Sequence, residues 1–266
     1  MRTLSRFFDC NRSITVLTGA GVSTASGIPD YRDDKGDWKA ATPIQYAEFA
    51  GSEDARRRYW ARSYVGWQRF GKAQPNGAHH SLARLESTGK IDTLITQNVD
   101  RLHSRAGSER VIDLHGDLSR VRCIDCDATV SRGEFQAQIR GANPDWHTRV
   151  SEYRPDGDAE LADASYMDFS VPACTSCGGR MKPDVVMFGE NVPTERVAEA
   201  MAAVDRADAL LIVGSSLMVY SGFRFARRAH ETGKPIAIVN RGTTRADDLA
   251  TLKVEADCAE ALQPVI

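Results

Sequence analysis

The sequence predicts an α/β fold in which a parallel sheet carries helices on both faces and a small cysteine-rich module interrupts it. Short apolar runs alternate along the chain with longer segments of helical periodicity, as in parallel α/β domains. Between residues 121 and 181 this alternation gives way to a polar stretch with two cysteine pairs. The first apolar run also ends in a glycine-containing turn, which is typical of phosphate-binding strand-to-helix junctions.

The individual elements follow from these runs. Strands are predicted at residues 14–18, 91–96, 111–114, 209–213 and 235–239, each a short apolar or β-branched run. Helices are predicted at residues 43–70, 76–87, 194–206 and 222–231. This order predicts a Rossmann-like domain made of residues 1–120 and 182–266, with an inserted module at residues 121–181. A second helical part of the small module is expected within residues 33–75.

Composition limits the class of protein. The 266 residues are 42% hydrophobic and 26% charged, which is ordinary for a globular chain. The net charge of −2 gives no reason to expect direct nucleic-acid binding. The sequence has no apolar run of membrane-spanning length, and residues 1–12 are too short and polar for a secretory signal. We therefore expect a cytoplasmic protein, or a mitochondrial matrix protein if the source is eukaryotic.

The glycine turn after the first strand is a candidate phosphate site. Gly19 and Gly21 allow the backbone to approach a ligand closely, and Ser23 adds a hydroxyl. The alternative, that these glycines serve turn geometry alone, stays open. Thr24 stands where the usual dinucleotide fingerprint has its third glycine, and residues 40–43 lack the acidic residue that holds the ribose. The sequence thus predicts a dinucleotide bound differently from that of a dehydrogenase.

Polar residues follow four further predicted strands. Because carboxyl ends of parallel strands share one edge of a sheet, we expect these residues to converge with the glycine turn on one cleft. They are Gln97, Asn98 and Asp100, then His115, then Gly214, Ser215 and Ser216, and finally Asn240, Arg241 and Gly242.

His115 is the candidate general base. It is the one histidine of six that directly follows a predicted strand, and imidazole titrates near neutrality. A structural histidine is the alternative. Asn98 and Asp100 are expected to orient a ribose or carboxamide, or else to cap a helix predicted over residues 101–106.

The cysteine pairs predict a structural zinc site. Cys123 and Cys126 form one C-x-x-C pair, and Cys174 and Cys177 form the other. Four thiolates give a closed tetrahedral site with no position left for water. A redox dithiol is the alternative, but two pairs flanking one polar module favour zinc.

Together these motifs resemble the sirtuins over nearly the whole chain. The matching segments are GAGVSTASGIPDYR at residues 19–32, TQNVD at 96–100, HG at 115–116, the two cysteine pairs, FGE at 188–190 and GSSL at 214–217. The class II branch, which contains a mitochondrial lipoamidase and ADP-ribosyltransferase, is similar in PDYR at 29–32, RYWAR at 58–62, KPDVV at 182–186 and VYSG at 219–222. Tyr31 replaces the phenylalanine common in the first motif and keeps an aromatic ring there.

The resemblance implies a reaction that consumes NAD⁺ to remove an acyl group from a protein lysine. The implied products are nicotinamide, free lysine and O-acyl-ADP-ribose, and the implied catalytic residues are His115 and Asn98. The implied cofactor-binding residues are Gly19, Ala20, Gly21, Ser23, Asp30, Tyr31, Arg32, Gln97, Asn98, Asp100, Gly214, Ser215, Ser216, Asn240, Arg241, Gly242 and Cys258. The implied substrate-binding residues include Val186, Phe188 and Gly189.

One pair of residues on a predicted helix suggests which type of acyl group is removed. Tyr59 and Arg62 are three residues apart, so they share a helix face. In sirtuins that remove acidic acyl groups, a tyrosine and an arginine at this spacing bind the acyl carboxylate, which implies acidic or bulky acyl groups here. The alternative is a core tyrosine beside a solvated arginine.

Three other functions compete with deacylation. A mono-ADP-ribosyltransferase would use the same NAD⁺ site. A dehydrogenase is disfavoured by the missing ribose acid. A non-catalytic module that binds through its zinc knuckles is disfavoured by the presence of His115.

Overall fold

A computed structural model describes residues 3–39, 43–162 and 166–263. The chain divides into two compact units, the first made of residues 1–41, 74–114 and 192–266 and the second of residues 42–73 and 115–191. The strands are β1 (Ile14–Thr18), β2 (Ile91–Thr96), β3 (Val111–Asp113), β4 (Gly116–Cys123), β5 (Thr129–Ser131), β6 (Val150–Tyr153), β7 (Ala159–Leu161), β8 (Met181–Val185), β9 (Ala209–Val213), β10 (Ile236–Val239) and β11 (Leu252–Val254). The α-helices are α1 (Leu4–Cys10), α2 (Tyr46–Gly51), α3 (Glu53–Phe70), α4 (Gly77–Ser87), α5 (Leu102–Arg105), α6 (Arg132–Ala142), α7 (Thr194–Arg206), α8 (Tyr220–Glu231) and α9 (Cys258–Leu262).

The first unit is built on a parallel sheet. Its six strands lie in the order β3-β2-β1-β9-β10-β11, which is the strand order of a doubly wound Rossmann sheet. Successive residues of β1 face opposite sides, so Val16 joins one apolar cluster and Leu17 joins the other. Every residue of β1 and β9 is buried. The predicted Rossmann-like fold with helices on both faces is therefore confirmed.

The second unit combines helices with small antiparallel sheets. Strands β5, β4 and β8 form one sheet, and β6 pairs with β7. Its core contains Phe49, Trp60 and Phe135. The Trp60 indole N–H donates to the Met181 carbonyl at 2.9 Å, which fixes α3 against β8.

Some local predictions differ from the structure. The helix predicted over residues 43–70 is two helices, because Ser52 ends α2 and caps α3 by accepting the Ala55 N–H at 3.2 Å. Helix α6 lies in the segment where no long element is predicted. Its capping box at Ser131 and Glu134 is a readable signal that the hydrophobic pattern alone misses. Helices α1 and α9 and strand β11 were also not predicted.

Two further predictions, on the missing ribose acid and on membrane-spanning segments, can be compared only with the residues that the structure describes. Residues 40–42, part of the stretch lacking a ribose acid, lie outside the described residues. Within the described part, no helix combines the length and the apolarity that a bilayer crossing requires.

Candidate functional site

The glycine turn of the first unit packs against the end of β9. A Cβ atom at Gly19 would lie 2.7 Å from the Ser215 Cβ, and one at Gly21 would lie 3.0 Å from the Gly214 Cα. Gly214 itself has φ +60°, and a Cβ there would lie 2.4 Å from the Val22 nitrogen. Gly19 and Gly214 therefore leave no room for a side chain, and Gly21 leaves very little, because the turn packs against residues 214–215.

Two backbone N–H groups of this turn already donate hydrogen bonds within the protein. The Gly19 N–H donates to the Val213 carbonyl at 3.2 Å, and the Gly21 N–H donates to the Gly214 carbonyl at 2.9 Å. The turn then enters a 3₁₀ helix over Ala20–Ser26. Turn geometry thus accounts for both glycine N–H groups, and a bound phosphate would need other donors.

Three polar side chains form a hydrogen-bonded triad beside this turn. The Asn98 amide Nδ2 donates to Ser23 Oγ at 3.0 Å, and the Ser23 hydroxyl donates to Asp100 Oδ2 at 2.7 Å. Asp100 Oδ1 accepts the N–H of Leu102, the first residue of α5, at 2.9 Å, and Arg101 is the N-cap of that helix. Burial raises the pKa of Asp100, and the hydrogen bonds from Leu102 and Ser23 oppose that shift. Asp100 therefore holds the turn that leads into α5, but it is not the N-cap residue of that helix.

Gln97 connects the ends of β2 and β9. Its side-chain amide donates to Ser215 Oγ at 2.7 Å, and Ser215 Oγ also accepts the Leu217 N–H at 3.3 Å. A Cβ at Gly222 would lie 2.4 Å from the Gln97 Oε1, so the start of α8 closes over this amide. The sequence motifs predict Gln97 and Ser215 as site residues, but they give no reason to expect the contact made by Gly222.

The remaining predicted cofactor residues lie in the loop before residue 40, after β9 and β10, and at the start of α9. Asn240 is buried at the end of β10, and its amide donates to the Arg241 carbonyl at 2.6 Å. The Cys258 Sγ lies 3.9 Å from the Gly21 carbonyl, and burial raises the pKa of this thiol to about 12, so it is neutral. In the loop before residue 40, Arg32 stacks on the Trp38 ring at 4.1 Å. The other predicted members are Tyr31, Ser216, Gly242 and Asp30. Asp30 is paired with Lys39.

A buried histidine pair lies behind the triad and was missed by sequence reasoning. The rings of His79 and His103 are 4.7 Å apart, and both residues are almost wholly buried. His103 Nε2 lies 2.9 Å from Thr18 Oγ1, which donates to Thr96 Oγ1 at 2.8 Å. The same Thr96 oxygen accepts the Asn98 N–H at 3.1 Å, so a polar chain runs from His103 to the triad.

Burial keeps both imidazoles of this pair neutral. The pKa of His79 falls to about 4, first from burial and then from His80. Burial, and after it His79, lowers the pKa of His103 well below its usual value. His79 Nε2 and His103 Nδ1 are buried without a hydrogen-bond partner. A predicted strand end identified His115, but these two histidines lie on α4 and α5, where no such signal marks them.

In the second unit, His115 lies immediately before β4. The His115 carbonyl accepts the Val186 N–H at 2.8 Å, so the backbone of one candidate substrate residue fixes that of the candidate base. His115 is partly exposed. At Gly116 φ is +88°, and a Cβ would lie 2.2 Å from the Asp184 carbonyl oxygen, so glycine is required after the histidine.

The other predicted substrate residues of this unit, Phe188 and Gly189, lie in the segment after β8. The Phe188 carbonyl accepts the Tyr46 N–H at 2.8 Å, and Gly189 has φ +79°. Lys182, which is buried, pairs with Glu190 at 3.0 Å, and the Glu190 carboxylate also accepts the Met187 N–H at 2.9 Å. This ion pair holds the segment in place.

The four predicted zinc ligands are brought together. The Sγ atoms of Cys123 and Cys177 are 3.6 Å apart, those of Cys126 and Cys174 are 3.7 Å apart, and all four lie within 4.8 Å of one another. Tetrahedral zinc with bonds of about 2.3 Å requires sulfur separations of about 3.8 Å, so the cluster fits the ion.

Tyr59 and Arg62 do not form the open pair that an acyl carboxylate would require. Tyr59 is buried in the aromatic core, edge-on to Phe49 at 5.2 Å between ring centroids, and burial raises its pKa. Arg62 is paired at 2.9 Å with Asp158 through Nε and at 2.9 Å with Glu160 through Nη2. Tyr59 is a core residue, as the alternative interpretation of this pair predicts. Arg62 is ion-paired, whereas that interpretation predicts a solvated arginine.

Comparison with known proteins gives consistent matches. The model of the Sir2 family matches residues 19–221. An NAD-dependent protein deacetylase of Xanthomonas axonopodis pv. citri is 56% identical over 260 residues, covering 98% of this chain and 89% of that protein. The Bos taurus protein "NAD-dependent protein lipoamidase sirtuin-4, mitochondrial" is 47% identical over 265 residues, covering 98% and 84%. A solved structure described as "Sir2-p53 peptide-NAD+" is similar with a TM-score of 0.78 at 31% identity, covering 100% and 97%.

Proposed function

The chain belongs to the Sir2 family, and from this membership we propose a division of labour among its residues. The protein is an NAD-dependent protein deacylase, whose substrates are acyl-lysine residues of other proteins. The family match, the identity to a protein deacetylase and the cluster of four cysteines support this conclusion.

The observation that carries the proposal is the hydrogen-bonded triad of Ser23, Asn98 and Asp100 beside the glycine turn. Asn98 and Asp100 present amide and carboxylate groups at the carboxyl end of a central strand, where ligands of α/β sheets bind. Such groups match the hydroxyls of a ribose. Bound NAD⁺ supplies an electrophilic sugar carbon and a neutral leaving group.

We assign the adenosine side of the dinucleotide to the ends of β9 and β10. Ser215 and Asn240 are buried there, and Gln97 donates to Ser215, which sets the direction of the hydroxyl. A side chain locked by its neighbours positions a ligand at low entropic cost.

His115 is proposed as the general base. Once the acyl oxygen has displaced nicotinamide from the sugar carbon, the His115 imidazole would accept the proton of a ribose hydroxyl. The hydroxyl oxygen would then bond to the acyl carbon, and the bond from that carbon to the lysine nitrogen would break to release free lysine. The Val186 N–H and the sharp turn at Gly116 hold the backbone of His115. The backbone position from which the imidazole ring projects is therefore fixed. Asn98 orients the ribose in the same step.

The zinc is proposed to be structural. The four cysteines leave no open coordination position for water, so the ion supplies cross-linking and no chemistry. Arg180 reinforces the knuckle, since its Nη2 pairs with Asp125 at 2.5 Å and its Nη1 donates to the Ala50 carbonyl at 3.0 Å.

The test incubates the purified chain with NAD⁺ and a panel of acyl-lysine peptides, following peptide mass and nicotinamide together. Release of nicotinamide matched by loss of the acyl group is the expected result. Nicotinamide release without a change in peptide mass, accompanied by adenine label bound covalently to protein, would assign the chain to the ADP-ribosyltransferases instead.

A further inference from the structure

The loop after β2, residues 97–101, carries three of the predicted cofactor-binding residues and begins at a fixed point of the sheet. Thr96, the last residue of β2, pairs in register with Asp113, the last residue of β3. The Thr96 carbonyl also accepts the Leu114 N–H at 2.8 Å. We call this end of the two strands the Thr96–Asp113 rung, and the 97–101 loop starts from it.

The far end of the 97–101 loop returns to the same rung. Arg101 Nη1 forms an ion pair with Asp113 Oδ2. The Arg101 side chain is 38% exposed and the Asp113 side chain is 17% exposed, so the carboxylate is the more buried partner. Salt screens a partly buried pair less than a pair on the open surface. The ion pair therefore closes the loop on the residue beside which it begins.

Arg101 also has a backbone conformation that residues with side chains rarely adopt. Its φ is +63°, in the left-handed region, and Asp127 and Leu217 are the other non-glycine residues of the described chain with positive φ. Arginine lacks the short polar side chain with which asparagine and aspartate stabilise this region. Such a conformation persists where neighbouring contacts hold it, and the pair with Asp113 is one such contact.

The left-handed turn at Arg101 directs the Asp100 carboxylate towards two donors. Asp100 Oδ1 accepts the Leu102 N–H at 2.9 Å, and Oδ2 accepts the Ser23 hydroxyl at 2.7 Å. Ser23 Oγ in turn accepts a hydrogen bond from the Asn98 amide at 3.0 Å. A displacement of Arg101 would therefore move Asp100 and, through Ser23, the Asn98 side chain.

We propose that Arg101 and Asp113 are positioning residues for NAD⁺, because their ion pair closes the 97–101 loop and holds the triad in the geometry that binds the ribose. This inference rests on the proposed assignment of Asn98 and Asp100 to that ribose. A loop that is already ordered binds a ligand at a lower entropic cost than a mobile one. Loss of the pair should therefore weaken NAD⁺ binding and leave the chemical step unchanged once NAD⁺ is saturating.

The test measures the KM for NAD⁺, kcat at saturating NAD⁺, and the Kd of NAD⁺ by isothermal titration calorimetry without peptide. Arg101→Gln and Asp113→Asn each remove one charge of the pair. Each should raise KM and Kd about threefold to tenfold, with kcat within about twofold of the wild type.

A charge exchange shows whether the pair itself is responsible. Arg101→Asp places two carboxylates at the rung and should be the weakest NAD⁺ binder of the set. The double variant Arg101→Asp/Asp113→Arg restores an ion pair with its charges exchanged and should recover most of the loss. A double variant that folds but binds NAD⁺ no better than Arg101→Asp would contradict the proposal.

The matched control is Arg105→Gln. It removes the same charge four residues further along the chain, from an exposed arginine that donates to Gln74 Oε1 at 3.0 Å. This variant should bind NAD⁺ as the wild type does. An equal rise of Kd in Arg105→Gln would assign the effect to general electrostatic attraction of NAD⁺. Unchanged Kd in both Arg101→Gln and Asp113→Asn would show that the pair serves the fold alone, and either result would overturn the proposal.

Because Kd is measured without peptide, this inference and the deacylase function fail separately. If no acyl-lysine peptide is deacylated but Arg101→Gln still weakens NAD⁺ binding, the deacylase function fails and the positioning role stands. If peptides are deacylated but Arg101→Gln and Asp113→Asn keep the wild-type Kd, only the positioning role fails. If Asn98→Ala binds NAD⁺ as the wild type does, the ribose assignment fails and the positioning role fails with it.

Discussion

Arg62 Nε lies 2.9 Å from Asp158 Oδ2, so the arginine assigned to an acyl carboxylate already faces a carboxylate of its own chain. Glu160 pairs with the same guanidinium at 2.9 Å. The Asp158 side chain is 11% exposed, so leaving it without its cation would be costly. An acidic acyl group would have to displace one of these partners, and the arrangement favours neutral acyl groups.

We therefore expect acetyl-lysine to be turned over faster than succinyl-lysine on the same peptide. Glu160→Gln removes the more exposed carboxylate and should raise succinyl turnover relative to acetyl by a few-fold, measured as the ratio of kcat/KM values. Glu152→Gln, which removes an exposed carboxylate near Arg154, is the matched control and should leave the ratio unchanged. A wild-type preference for succinyl-lysine would contradict this interpretation and restore the acidic-acyl hypothesis.

The proposed base gives a second prediction. His115→Tyr should lower kcat for deacylation by about 10²- to 10⁴-fold, because the variant loses general-base catalysis. Its unfolding temperature should stay close to that of the wild type, since His115 is partly exposed. His230→Tyr on exposed α8 surface serves as the control and should retain activity. Near-normal turnover by His115→Tyr would remove His115 from the mechanism.

Zinc removal gives the third prediction. Cys174→Ser should lose bound zinc, measured by elemental analysis, and should lower the unfolding temperature, because metal binding is coupled to folding. Cys10→Ser, at an exposed cysteine outside the cluster, should change neither quantity. A Cys174→Ser protein that lacks zinc yet unfolds at the wild-type temperature would show that the site is not structural.

Elements of the fold and site that produce an apolar run or a regular residue spacing can be predicted from the sequence. The fully apolar runs of β1 and β9 identify central parallel strands, and the two C-x-x-C pairs identify the four thiols that meet. The packing of Gly19 against Ser215 is not predictable from either motif alone, because 196 residues separate them along the chain. The partners of Arg62 were missed for the same reason, since helical spacing describes one face of α3 but not the hairpin that covers it.

The buried histidine pair gives the last prediction. Burial lowers the pKa of His79 from 6.5 to about 4, so the folded state binds its proton less readily than the unfolded state. The neutral form therefore contributes stability above pH 6.5, and that contribution is lost as the pH falls from 6.5 towards 4. One such shift corresponds to about 3 kcal/mol, and His103 adds to it. Wild-type unfolding temperature should drop over this interval.

His103→Gln tests the assignment, because glutamine can donate to Thr18 but does not titrate. The variant should lose part of the pH dependence between about pH 7 and about pH 5, measured by differential scanning fluorimetry, and His79→Gln provides an independent second case. His230→Gln removes an exposed histidine and should keep the wild-type slope. If the slope of both buried variants equals that of the wild type, the acid sensitivity arises elsewhere. A reduced slope together with a raised KM for NAD⁺ would connect the pair, through Thr18 and Thr96, to the position of Asn98.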